Sequence, residues 1–324
     1  MKILVTGGAG YIGSQTCKSL AESGHNPIVY DNLRNGCQNS IQWGPFECGD
    51  ITDTERLQQV MAEHRPDAVL HFAALASVGE SHRIPLEYYR TNVVGTICLL
   101  QAMKSADLNR LVVSSSSTVY GIPEYLPIPE SASIEPISPY GRSKAIMEHI
   151  LFDSEKAYGL DWLALRYFNA AGADPEIGLG DRNTTGERLI PNVLSHSLRS
   201  DSIVTVNGRN FPTPDGTCVR DYIHVKDVAD AHVVALENLD LFSSRVFNIG
   251  NDQGYSVLEV IMAVEKVIGK KIDYRFGHQR PGDVPHLISN SAAFRDSTSW
   301  CPAQSDLETI IYDSWQWEIG LKGG

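Results

Sequence analysis

Over the first 170 positions, short β-rich runs alternate with amphipathic helical ones. KILVTG (2–7), PIVYDN (27–32), AVLHFAA (68–74), RLVVSSSS (110–117) and WLALRYFN (162–169) read as strands. The stretch from Ser14 to Ser23 reads as a helix that stops at Gly24, and FECGDI (46–51) leads into the helical ERLQQVMAEH (55–64). YYRTNVVGTICLLQAMKSA (88–106) is expected to be one long helix, and Tyr140 to Tyr158 another. Strands separated by helical patterns imply βαβ units and a parallel sheet covered on both faces.

After Gly172 the pattern changes. Residues 174–187 and 207–217 are rich in Gly, Pro, Asp and Asn and are expected to be long loops. Between and beyond them lie LIPNVLSHSL (189–198), DVADAHVVALENL (227–239), RVFNIGN (245–251) and SVLEVIMAVEKVIG (256–269). The expected fold is α/β: a doubly wound parallel sheet with a smaller C-terminal substrate domain. Residues 1–175 would form the dinucleotide part, with 219–252 returning to it. Residues 176–218 and 253–324 would form the substrate part.

At 324 residues the chain can bury a substantial core. Its formal net charge of −12 argues against nucleic-acid or anionic-membrane binding, so an anionic ligand would need locally focused Arg, Lys or helix N-termini. MKILVTGGAG lacks the apolar stretch of about 7–15 residues that a signal peptide carries. No run approaches the ~18 apolar residues of a membrane span. Six cysteines, at 17, 37, 48, 98, 218 and 301, lie far apart with no CxxC pair. They suggest free thiols in a reducing cytoplasm rather than a disulfide or zinc framework, and no metal is expected.

TGGAGYIGS places Gly7, Gly10 and Gly13 directly after a strand and at the start of a helix. Glycine permits the tight turn, close backbone approach and helix–strand packing that a dinucleotide pyrophosphate requires, and the helix N-terminus offers free N–H groups to phosphate. Asp31, at the end of the second strand, is placed to accept from the adenosine ribose hydroxyls. Its charge would repel a 2′-phosphate, which favours NAD over NADP. The alternative, a merely structural glycine turn, accounts less well for strand, glycines, helix and acid together.

SSSSTVYG (114–121) begins as a strand and ends in a turn, bringing hydroxyls to the carboxyl edge of the sheet where open α/β sheets bind ligands. SPYGRSK (138–144) then sets Tyr140 and Lys144 four apart, on one helix face. A YxxxK spacing arises readily by chance. Behind a dinucleotide loop it acquires a purpose: an ammonium beside a phenol, together with a bound positively charged nicotinamide, would favour phenolate. Such a tyrosine could take a proton from an alcohol while hydride leaves its carbon. Ser116 and Thr118 could hydrogen-bond the same oxygen.

With these stretches the chain resembles the extended short-chain dehydrogenase/reductases, and within them the UDP-glucose 4-epimerase family. Further matches are DNL, GDI, HFAAL with VGES, PLEYY with NVVGT, LRYFNAAGAD, DGTCVRDYIHVKDVADAHVVA and RPGD at 280–283. RYFNAAGAD and VRDYIHV are far more specific than the glycine loop. The resemblance implies a Rossmann-type fold, tightly held NAD, a UDP-sugar substrate and interconversion of UDP-glucose and UDP-galactose through a 4-ketose that rotates in place. It implies Tyr140 as base, Lys144 as its partner and nicotinamide-ribose ligand, and Ser116 or Thr118 at the 4-oxygen. It places Gly7, Gly10, Tyr11, Ile12, Gly13, Asp31, Asn32, Asp50, Ile51, Phe72, Ala73, Ala74, Asn92, Ser114 and Tyr167 at the cofactor. Asn169, Arg188, Leu189, Thr205, Asn207, Arg220, Arg280, Asp283 and Leu287 would surround the substrate, with Arg220 and Arg280 clamping its diphosphate. It also implies a homodimer built from the helices at 88–106 and 140–158.

The chain departs from the family in places. Ala76 stands where a phosphate-contacting Lys is frequent, Arg188 where an Asn would meet substrate, and Asn207 where an aromatic lies near uracil. Leu287 occupies the position that gates the sugar pocket. A 4-epimerase of another UDP-sugar (N-acetylated, uronic or pentose) therefore stays open. A 4,6-dehydratase would need an acid pair at the strand end, which SSSSTVYG lacks. A plain NAD-dependent dehydrogenase would release its cofactor, and a non-catalytic sensor would have no use for a poised phenol. His71 and His224 read as structural, as do Trp300, Trp315 and Trp317.

Overall fold

The computed structural model describes residues 1–182, 186–199, 202–242 and 245–323. It opens with β1 (Lys2–Thr6), α1 (Tyr11–Glu22), β2 (Asn26–Asp31), β3 (Phe46–Cys48), α2 (Thr54–His64) and β4 (Ala68–His71). Then come α3 (Val78–Arg83), α4 (Pro85–Tyr88), a π-helical turn over Tyr89–Val94, α5 (Gly95–Ser105), β5 (Arg110–Ser116), α6 (Pro139–Tyr158) and β6 (Asp161–Tyr167). All the strands named so far are parallel, and a later strand, β12 (Val246–Ile249), completes the sheet in the order β3-β2-β1-β4-β5-β6-β12. The order reverses between β1 and β4, which opens a crevice at their carboxyl ends.

Alternate residues of each strand enter opposite cores. Ile3 and Val5 join Leu70, Val112, Leu163 and Leu165 on the face carrying α1. Leu4 joins Val69, Leu111 and Val113 beneath α2, α5 and α6, where Leu57, Leu99, Met147 and Trp162 fill the layer. Helix ends follow local chemistry. Ser138 caps α6 by accepting from the Gly141 N–H, Pro139 occupies the first turn, and Gly159 ends the helix with φ +73°.

The second half begins with β7 (Asn169–Ala171), β8 (Ala173–Asp174), β9 (Leu179–Gly180), α7 (Leu189–Ser197) and β10 (Val204–Asn207). It continues through β11 (Val219–His224), α8 (Val225–Glu237), β12 (Val246–Ile249), β13 (Gly254–Ser256) and α9 (Val257–Ile268). It closes with β14 (Tyr274–Gly277), β15 (His286–Leu287), α10 (Ala292–Ser297) and α11 (Leu307–Gly323). β12 pairs with β6 at the end of the main sheet, and α8 adds Val228, Ala231 and Leu236 to the α1-side core. β11 lies elsewhere, between β13, β15 and β7. A third core, with Ile190, Leu194, Val260, Val264, Ile310 and Ile311, joins α7, α9 and α11.

The structure refines several expectations. The helix expected over 88–106 is interrupted by the π turn, because the extra residue per turn lets Asn92 face inward, where its side chain binds both polar groups of the Leu75 backbone. The expected loop 174–187 contains the second strand of a short antiparallel pair, β8 with β9. The run WLALRYFN divides after Tyr167, and Asn169 starts β7 in a different sheet. There Tyr222, Ile223 and His224 align with Asn169, Ala170 and Ala171, so the two most specific sequence stretches are neighbours.

One buried ion pair fastens α6 to the sheet. Arg166 on β6 donates through Nε (2.9 Å) and Nη2 (2.5 Å) to Glu148, which also accepts from Ser115 of β5 at 2.5 Å. Arg166 reaches Tyr120 Oη at 3.0 Å, and that hydroxyl donates to Asn248 on β12 at 2.6 Å. Glu148→Ala strands a buried guanidinium and is expected to cost about 3–5 kcal/mol in chemical denaturation. The double variant Glu148→Ala/Arg166→Met, with no charge left unpaired, should recover much of that loss.

Candidate functional site

The crevice at the β1/β4 reversal is built around backbone proximity. Gly7, at φ +73°, lies so close to the loop after β4 that a Cβ would stand 2.6 Å from Ala73 N. At Gly13 a Cβ would stand 2.2 Å from the Gly7 carbonyl oxygen. No side chain fits either position, which is why α1 can bring its first turn against the strand end. At the far end of the crevice, Asp31 accepts from the N–H groups of Ala9 (3.1 Å) and Leu33 (2.7 Å), and Asn32 donates to Asp50 at 2.7 Å. Gly7, Gly10, Asp31, Asn32, Asp50, Ile51, Phe72, Ala73 and Ala74 all line this end.

A larger cleft of about 520 Å³ continues from it between the two halves of the chain. It brings together Tyr11, Ile12, Gly13, Ser114, Ser116, Thr118, Tyr140, Lys144 and Tyr167 from the first half with Asn169 at its border. Arg188, Leu189, Thr205, Asn207, Arg220, Arg280, Asp283 and Leu287 face them from the other side. The one expected site residue lining neither space is Asn92. It is buried behind the wall, where its amide accepts from Leu75 N–H (2.8 Å) and donates to Leu75 O (3.0 Å) and to Ser143 Oγ (2.9 Å). Asn92 thus supports the cleft rather than entering it.

The sequence signature of the NAD-dependent epimerase/dehydratase family matches residues 3–250. The chain belongs to that family. It is 44% identical to a UDP-glucose 4-epimerase of Rhizobium leguminosarum bv. trifolii, over 97% of this chain and 96% of the relative. Among solved structures it is similar to UDP-glucose 4-epimerase from Brucella ovis in complex with NAD (43% identity, TM-score 0.93, 97% of each chain). It is also similar to UDP-glucose 4-epimerase from Bifidobacterium longum in complex with NAD+ and UDP (36% identity, TM-score 0.95, all of both chains). The glycine cradle, which any Cβ would fill, and the Asp31 carboxylate at its far end fit the dinucleotide that gives this family its name.

In this epimerase/dehydratase, burial pushes the Tyr140 phenol above its ordinary value, while a hydrogen bond with Ser116 and the charge of Arg188 pull it down. Ser116 Oγ also accepts from Thr118 Oγ1 at 2.9 Å and from the Thr118 N–H at 3.2 Å. Tyr88 packs edge-on against the Tyr140 ring, with centroids 6.3 Å apart. Lys144 does not bond the phenol. Its Nζ donates to the Ser114 carbonyl at 2.6 Å and to Ser114 Oγ at 3.1 Å. The ammonium is held by β5, and Arg188 supplies a charge that favours the phenolate. Burial pushes the Lys144 ammonium down to about 8, against an opposing pull from Glu148.

On the opposite wall, Arg188 forms an ion pair with Asp181 and lies over the Tyr11 ring, 5.3 Å from its centroid. Arg280 pairs with Asp283 at 3.1 Å. Arg220 donates only to main-chain carbonyls, of Val219 (2.8 Å) and Val284 (2.9 Å), among the contacts of the described residues. Neutralised pairs and a carbonyl-held guanidinium give this acidic chain a local set of cations. Asp181, Ser77 and Gly36 carried no sequence signal, and Tyr88, within the matched PLEYY, carried no assigned role. Gly36 approaches so closely that a Cβ would stand 2.9 Å from Asp31 Oδ1. An isolated loop glycine or serine carries no spacing signal. His71 is fully buried on a central strand and bonded to Thr6 Oγ1 at 2.7 Å, and His224 caps α8 by accepting from the Lys226 N–H at 3.1 Å. A cluster of Glu47, Glu63 and His64 lies at β3, the edge strand beside β2, where Glu47 is held by Arg56 and His64.

The buried Lys144 has a consequence for stability. Its folded pKa lies below the unfolded value, so between about pH 8 and pH 10.5 the unfolded chain binds the extra proton, and stability rises with pH across that window. Relative to Lys144→Met, the parent protein is expected to gain on the order of 3 kcal/mol from pH 7 to 10.5. Paired denaturation curves at several pH values measure it, and a pH-independent gap would contradict it.

Proposed function

We propose that this chain interconverts UDP-glucose and UDP-galactose by reversible oxidation at C4 with tightly held NAD. The observation that carries this reading is the single cleft joining the glycine cradle, the Tyr140–Ser116 pair and three guanidinium groups. Gly7, Gly10, Tyr11, Ile12 and Gly13 would hold the pyrophosphate of the cofactor, Asp31 and Asn32 its adenosine ribose, and Lys144, Ser114 and Tyr167 would flank its nicotinamide half. Arg220 and Arg280 would clamp the UDP diphosphate with Asn169, while Leu189, Thr205 and Asn207 border the uridine. Arg188 and Leu287 would border the sugar.

Within that arrangement Tyr140 takes the C4-hydroxyl proton on its phenolic oxygen and returns it to the same 4-oxygen when the ketone is reduced from its opposite face. Ser116 shares the sugar oxygen and, held by two bonds from Thr118, keeps its hydroxyl oriented. NAD, when bound, accepts and gives back the C4 hydride, and the positive charge of its oxidised ring favours the phenolate. The diphosphate stays clamped while the sugar turns, so the protein's firm contacts all fall on the half of the substrate that does not react.

Purified protein incubated with UDP-galactose and no added cofactor is expected to yield UDP-glucose, resolved by anion-exchange chromatography. Tyr140→Phe should lower that turnover by about 10²–10⁴-fold while keeping its NAD. Near-normal turnover in this variant would remove Tyr140 as the base. No conversion by the parent, even with NAD supplied, would move the assignment to another UDP-sugar.

The reading extends to assembly and location. Val94 and Ile97 beside and on α5, with Ile146 and Phe152 on α6, are exposed apolar side chains, consistent with a homodimer packed through these helices. Light scattering should give twice the chain mass, and Ile97→Glu/Phe152→Glu should return it to one. Among the described residues no helix is long and apolar enough to cross a membrane. With six free cysteines, a cytoplasmic location fits.

A further inference from the structure

The cleft is bridged by a contact that neither its cofactor nor its substrate needs directly. Glu187, next to Arg188 on the substrate side, accepts a short hydrogen bond from Ser77 Oγ at the start of α3 on the dinucleotide side. Its other oxygen lies 3.4 Å from Arg83 Nη2 at the end of the same helix. Gly79 leaves room for this carboxylate, since a Cβ there would stand 2.7 Å from Glu187 Oε1. The second substrate segment meets α3 as well: at Gly282, two residues past Arg280, a Cβ would stand 2.9 Å from His82 Nε2. One six-residue helix thus meets two of the three segments that carry guanidinium groups into the cleft, those of Arg188 and Arg280.

Ser77 is also tied to the catalytic side. Its Oγ accepts from Glu80 N–H at 2.9 Å, and its own N–H donates to Tyr88 Oη at 2.9 Å. Tyr88 in turn packs on the Tyr140 ring. The path Glu187–Ser77–Tyr88–Tyr140 runs from the substrate wall to the phenol through direct contacts.

We infer that Ser77 and Glu187 form a clasp that closes the sugar end of the cleft and retains the oxidised sugar during the half-cycle in which it must turn. Glu187 is a positioning residue; it holds the Arg188 segment in place. The inference rests on the epimerase reading above. In the first half-reaction the C4–H and O–H bonds break, the proton goes to Tyr140, and two electrons leave with the hydride to the nicotinamide. If the 4-ketose then departs, the sugar is lost oxidised and the enzyme is left with reduced cofactor and no partner to restore it. A clasp lowers the frequency of that event.

The test compares the parent holoenzyme with Glu187→Ala and Glu187→Gln during sustained turnover of UDP-galactose. Absorbance of the reduced nicotinamide on the protein is followed, and free 4-ketose is trapped with tritiated borohydride in the protein-free filtrate. Glu187→Ala is expected to raise the ketose released per turnover by about tenfold or more, the scale of one hydrogen bond to a charged group, with matching accumulation of reduced cofactor. Glu187→Gln keeps a neutral acceptor for Ser77 and should release ketose at a rate between the parent and Glu187→Ala. Equal release in parent and Glu187→Ala, with epimerisation intact, would overturn the clasp. Release raised equally by both variants would overturn the Ser77 hydrogen bond as its basis. Failure of the parent to epimerise any UDP-hexose would instead overturn the functional reading.

Discussion

Three residues of α6, four apart, must each find a different residue of β5, and the active cleft depends on that register. Tyr140 meets Ser116, Lys144 meets Ser114 and Glu148 meets Ser115. Residues at i, i+4 and i+8 drift only slowly around a helix, so one face can present a phenol, an ammonium and a carboxylate to three consecutive serines of one strand. A charged ammonium in a dry layer would be costly alone. Two oxygens of Ser114 receive it, and the Glu148 charge one turn further on opposes its loss of proton. Arg166 then fixes the carboxylate from β6. The register is held at its buried end, where the ion pair is strong, and expressed at its open end, where Tyr140 faces the cleft.

This arrangement separates two tasks that sequence spacing alone merges. YxxxK suggests a lysine acting on a tyrosine. In the folded chain the Lys144 ammonium is bonded to Ser114 of β5, while Ser116 and the charge of Arg188 across the cleft pull the phenol down against its burial. Basic groups in the substrate half follow a related economy. Arg188 and Arg280 carry acidic partners, and Arg220 is aimed by carbonyls, so the wall is polar and oriented without a large net field in a chain of net charge −12. A diphosphate can then compete for oriented donors already desolvated on their protein side.

Much of the first half was legible in the sequence because buried parallel strands read as apolar runs, and helices between them show their own period. The glycine cradle was legible for a similar reason: steric exclusion leaves glycine in the text at Gly7 and Gly13. The substrate half was less so. Its strands are two to six residues long, its sheets are assembled from distant segments, and β7 and β11 reveal their pairing only when folded. The π turn at Tyr89–Val94 has no compositional marker, and Asn92, which the family resemblance put near the cofactor, has its amide bonded to Leu75 and Ser143. Glu187 and Ser77 are ordinary polar residues 110 positions apart, and nothing local links them.

The placement of β12 has a consequence during synthesis. β6 is complete at Tyr167, yet its outer edge is paired by Val246–Ile249, some eighty residues later in the chain. Until those residues leave the ribosome, the sheet ends in a bare strand of seven residues, DWLALRY, with a row of unsatisfied main-chain groups. None of the strands in between pairs with that edge, because each belongs to another sheet. A nascent chain of this protein therefore passes through a stage in which its largest sheet is open to strand exchange with a neighbour, and β12 then replaces that edge with a shorter one of four residues, whose Asn248 N–H is taken by Glu130.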